Sequence, residues 1–165
     1  MSKELRVVKV GLALVLMGLL FGVIMGVSFG IQEDAFFDYI EDGVDANPTV
    51  HDDSSVDKIW RYAQRAHFHA TGISAFSLGL IILVMFSDMK TKLKRVSSIF
   101  LGLGSFYPLS WFTMFVLAPS IGRGAAHEHI LTEIFAFTGV GGLLLGGFFL
   151  GATLFLGLFK EDTAT

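Results

Sequence analysis

Apolar residues gather in four long runs, at about 10–30, 66–86, 96–118 and 127–159, and polar residues fill the stretches between them. A helix needs about 20 residues to cross a hydrocarbon core roughly 30 Å thick. Each run is near or above that length, so the pattern predicts an all-α integral membrane protein. Its expected architecture is a four-transmembrane-helix bundle, with residues 1–165 forming a single membrane domain. The longest polar stretch, 31–57, reads as a loop carrying Glu33, Asp34, Asp38, Glu41, Asp42 and Asp45 ahead of Pro48. Within it, Phe36, Phe37 and Ile40 suit a short amphipathic turn resting on the bundle end or the lipid interface. In the third run Pro108 follows Tyr107; proline lacks a backbone donor and crowds the preceding turn, so a kink is expected there.

Small residues mark where helices approach, because lipid offers no hydrophobic drive for helix association and close backbone packing must supply the attraction. The first run carries Gly18, Gly22, Gly26 and Gly30 at i, i+4 spacing. The fourth carries Gly142 with Gly146, and Gly147 with Gly151. These ridges predict close packing within the bundle or between protomers.

Composition supports the membrane reading: 53% of residues are hydrophobic, 16% are charged, and mean hydropathy is +0.65. The formal charge of -3 argues against nucleic acid, a partner that usually calls for a basic face or stripe. With no cysteine, thiolate metal sites and disulfides are excluded, and any metal would rest on nitrogen and oxygen ligands. Basic residues cluster in three places: Lys3, Arg6 and Lys9 before the first run, Lys90, Lys92, Lys94 and Arg95 between the second and third, and Lys160 after the fourth. If the spans alternate, all three lie on one side. The positive-inside bias makes that side cytoplasmic, so both termini are expected in the cytoplasm and 31–57 becomes an outer loop. The first apolar stretch exceeds the 7 to 15 residues of a signal core, so the basic start reads as an anchor and not as a cleaved leader. A multi-pass protein of a bacterial inner membrane is the expected setting.

Five histidines are the main chemical feature, and all fall toward the outer side: His51, the pair His67 and His69, and the pair His127 and His129. Residues two apart on a helix point about 200° from each other, so one histidine of each pair faces a common centre. On the second span Arg65, His69, Gly72 and Phe76 share a stripe; on the fourth, His129, Glu133, Ala136 and Val140 share a face. The expected inward pair is therefore His69 with His129.

Three uses follow. His69 and His129 would ligate a b-type haem among Phe68, Phe76, Phe135 and Phe137, with Arg65 and Arg123 on its propionates and His67 and His127 as second-choice ligands. Alternatively, His67, His69, His127 and His129 with Glu133 or Glu128 would hold copper or zinc. Otherwise the cluster is structural or pH-responsive. The sequence contains no phosphate loop, nucleophile elbow or HExxH pattern. It is therefore expected to be a haem-binding electron-transfer or anchor subunit. Its partners would be the bilayer and other membrane or periplasmic redox subunits, or further copies of itself. A cofactor-free assembly subunit is the alternative beyond metal.

Overall fold

The computed structural model describes residues 3–161. Its elements are α1 (Lys3–Ala46), a 3-10 turn (Pro48–Val50), α2 (Ser55–Phe86), α3 (Thr91–Leu103), a second 3-10 turn (Gly104–Phe106), α4 (Tyr107–Ile121), α5 (Arg123–His127) and α6 (Ile130–Leu156). Among the described residues, four segments are long and apolar enough to cross a membrane: α1, α2, the α3–α4 unit and α6. The chain is a multi-pass membrane protein by that measure. Large side chains such as Leu16, Leu20, Ile24, Leu144 and Phe148 are exposed around the bundle, where lipid replaces water as solvent.

The expected loop 31–57 is a correction. Helix continues through it to Ala46, broken only at Gln32, whose φ/ψ of -137°/36° bends the chain. Beyond the bend Phe36, Phe37, Ile40 and Val44 repeat at helical spacing, so the acidic segment folds as an amphipathic helix over the bundle end. Ile40 is fully buried, Phe36 packs on Phe115 and Trp60, and the Tyr39 hydroxyl donates to the Val116 carbonyl at 2.6 Å. The second span likewise starts earlier than its expected beginning near residue 66. Ile59, Ala63, Ala66 and Ala70 continue one buried face toward Ser55, while Arg61 and Arg65 stay exposed.

The third span breaks at the 3-10 turn ahead of Pro108, which sits in the first turn of α4, where a missing N–H leaves nothing unpaired. The fourth span does not start at His127, as its apolar pattern suggested. Gly122, at φ +81°, ends α4 in a conformation that disfavours side chains, α5 is a single short turn, and α6 begins only after His129.

The α3–α4 unit is central. α1 packs mainly on α2 and α3, α6 packs on α3 and α4, and α2 meets α6 only briefly. One core, around Val8, Val15, Ile81, Val84 and Leu101, sits toward the lysine-rich end; another, around Met25, Ile40, Ile59, Ala63 and Phe115, sits toward the histidine end. At the lysine end the chain beyond α6 pairs Lys160 with Met89, and Lys94 reaches Glu4 at 3.0 Å, so the start, the α2–α3 connection and the exit meet there.

Candidate functional site

The five histidines do not converge. His51 donates from Nε2 to the Pro119 carbonyl at 3.0 Å, tying the stretch after the first 3-10 turn to the end of α4. His67 faces α1, where its Nδ1 lies 2.8 Å from the Gly22 carbonyl and its ring meets Phe29 edge-on. His129 caps α6, its Nδ1 accepting the Leu131 N–H at 3.3 Å. His127 ends α5 and is exposed.

His69 faces α4. Its ring stacks on Trp111, with centroids 5.8 Å apart and planes 25° apart, and meets Tyr107 at 5.3 Å. The Arg65 guanidinium carbon lies 4.7 Å from the centre of the same indole, a cation-π arrangement. Sequence reasoning missed Tyr107 and Trp111, although their spacing of four residues on one helix face was a usable signal.

Hydrogen bonding fixes several ring protons. A carbonyl oxygen only accepts, so a ring nitrogen facing one carries the proton. The His69 Nδ1 lies 2.8 Å from the Arg65 carbonyl, so in the neutral ring its Nε2 is a bare lone pair. His67 has the same tautomer, turned toward α1. His129 is the reverse: its Nδ1 accepts, so its Nε2 carries the proton and has no lone pair for a metal.

Among the described residues, no contact joins His129 to His69, and no three His, Asp or Glu side chains converge to hold a metal ion. The physical reason is the break at Glu128 and His129, which takes His127 and His129 off a shared helix and removes the 200° relation assumed between them. Arg123 pairs with Asp52 at 3.3 Å. Phe68, Phe76 and Phe137 turn outward, at 64%, 58% and 74% exposure, and Phe135 packs on Phe106.

Beside the His69 stack, α4 and α6 enclose a cleft of about 180 Å³. Tyr107, Trp111 and Met114 line it from α4; His127, Glu133, Ala136 and Phe137 line it from the other side. Glu133 stands in the first turn of α6, where the helix dipole favours a carboxylate. Among the described residues, no hydrogen bond or ion pair reaches the Tyr107 hydroxyl, the His127 ring or the Glu133 carboxylate, and the buried Trp111 indole N–H has no partner. Trp111 therefore gives the cleft ring surface, while its N–H is shut away from solvent; the polar groups the cleft can present are the Tyr107 hydroxyl, the His127 ring and the Glu133 carboxylate.

Comparison with protein-family models, curated proteins and solved structures gave no match to this chain.

Proposed function

We propose that the chain is a small electron-transfer or anchor subunit of a bacterial inner membrane, with both termini cytoplasmic, in which His69 gives an axial nitrogen to a b-type haem. The observation that carries this reading is the His69 Nδ1 contact with the Arg65 carbonyl, which leaves Nε2 bare and fixes the ring. Backbone partners of that kind orient ligating histidines and raise their basicity. Arg65 stands beside the ring to meet a propionate, and Gly72 adds no bulk, since even a Cβ there would touch nothing within 4 Å. His127, whose ring has no hydrogen-bond partner among the described residues, is the candidate second histidine. Haem supplies a one-electron couple whose potential the axial ligands and burial tune.

The fit is partial. A cleft of about 180 Å³ falls below the roughly 300–1,000 Å³ of ligand pockets, so this chain by itself does not enclose a macrocycle. The reading therefore needs a partner subunit, or a second copy, against the open face of α2. Copper or zinc draws no support from the donor geometry. The competing reading is a cofactor-free subunit, favoured by His51, His67 and His129, each with a protein partner.

Optical spectra of detergent-purified protein, oxidised and dithionite-reduced, with iron, copper and zinc analysis, separate these readings. A sharp reduced haem band with stoichiometric iron is expected, lost in His69→Ala and kept in His129→Ala. Retention of the band in His69→Ala would remove His69 from the ligand set. A featureless spectrum without metal would favour the cofactor-free reading.

A further inference from the structure

We propose that the cleft between α4 and α6 binds the head group of a membrane-soluble amphiphile of the quinone or quinol class. The inference shares His127 and the cleft with the haem reading but uses none of the His69 nitrogens, so it stands or falls separately from haem content.

Size is the first argument. About 180 Å³ accommodates a single six-membered ring with small substituents, and is too small for a macrocycle or a fused tetracycle. Chemistry is the second. The Tyr107 O–H is a donor, the Glu133 carboxylate is an acceptor, and His127 can act as either; all three lack partners among the described residues. A quinone offers two acceptor oxygens at opposite ends of a ring, and a quinol offers two hydroxyls, so either form finds complementary groups. The remaining walls, Met114, Ala136 and Phe137, are apolar and suit the ring face. Access is the third argument. Phe137, Glu133 and His127 form an exposed rim, and α2 and α6 meet only briefly, so a ligand with an isoprenoid tail can enter sideways from lipid. A phospholipid head group suits the cleft poorly, since its phosphate would face the Glu133 carboxylate.

The chain has two tryptophans, so Trp60→Phe leaves Trp111 as the only indole. That protein, in nanodiscs, is titrated with a short-tailed ubiquinone analogue while indole fluorescence is followed. Saturable quenching is expected. Tyr107→Phe, which keeps the ring and loses the hydroxyl, should weaken the apparent affinity by up to about tenfold, the scale of one hydrogen bond. Ala136→Leu, which fills the cleft, should abolish saturation while circular dichroism shows the helical content retained. Quenching that rises linearly, as it does for a free tryptophan derivative in the same nanodiscs, would overturn the assignment. So would saturable quenching that neither substitution alters, or native mass spectrometry that finds a phospholipid held by the wild type and lost in Ala136→Leu.

Discussion

Asp52 organises the start of α2 through both carboxylate oxygens. Its Oδ1 accepts from the Ser54 N–H at 3.0 Å, the Ser54 hydroxyl at 2.6 Å and the Ser55 hydroxyl at 3.2 Å, and its Oδ2 faces Arg123 and Lys58. The Ser54 hydroxyl bond, with further lowering from the Ser54 N–H, Ser55 and the Lys58 charge, holds its pKa down from 3.8 to about 2 against a smaller opposing effect of burial. A depressed carboxylate stabilises the fold above its unfolded pKa, and the contribution is lost as pH falls through the folded value. Asp52→Asn is therefore expected to lower the thermal midpoint in detergent at pH 7. The gap from wild type should narrow below about pH 4 and close near pH 2; a gap of constant size would contradict this role. In the sequence Asp52 lay unmarked within the polar stretch 31–57, because its partners come together only once α2 begins at Ser55. His129 is a similar case: its capping of α6 depends on where the helix starts, which apolar periodicity alone did not mark.

Glycines carry the helix contacts, but only on the faces that meet another helix. A Cβ at Gly22 would lie 2.7 Å from the Thr71 Cγ2 atom, and one at Gly26 would lie 2.7 Å from the His67 ring, whereas one at Gly30 meets nothing within 4 Å. α6 divides the same way: Gly142 abuts the Phe100 carbonyl and Gly146 abuts Leu101, while Gly147 and Gly151 face open space. Gly142→Ala should then destabilise by about 1–3 kcal/mol, the scale of overpacking. Gly147→Ala should be neutral or stabilising by up to about 1 kcal/mol, the helix-propensity gain. Reversible unfolding in mixed micelles measures both, and equal destabilisation by the two would place the α6 interface elsewhere. The i, i+4 ridge on α1 was legible in the sequence as a surface suited to packing. Which rungs have a partner was not, since Phe29 turns to Trp60 of α2 while Gly30 beside it is exposed, and the chain bends two residues later at Gln32.

Taken whole, the molecule is polar in two different ways at its two ends. The lysine-rich end joins Glu4, Lys94, Met89 and Lys160, and the opposite end carries the acidic half of α1, the Asp52 network and His51, His127 and His129. The positive-inside bias proposes the lysine end as the cytoplasmic one, and each end can be tagged cleanly because the chain has no cysteine. A membrane-impermeant maleimide on intact cells should label Asp53→Cys and should label Lys92→Cys only after the membrane is opened. The reverse pattern would invert the topology.

The sequence by itself determined the number of long apolar segments, the irregularity ahead of Pro108, which takes the form of a 3-10 turn, and the clustering of histidines toward one end. Those features depend on local hydrophobicity, on one residue's missing N–H and on position along the chain. Tertiary structure decided what the histidines face. The Gln32 bend and the break between α5 and α6 turn side chains away from the directions that straight helices would give, and the early start of α2 extends its buried face. Once these shifts are in place, His67 turns to Gly22, His129 becomes a cap, and His69 comes to rest on Trp111. Trp111 and Tyr107 gained their importance in the same way: an aromatic pair on α4 is ordinary packing until α2 and α6 bring a histidine, an arginine and a carboxylate to its two sides.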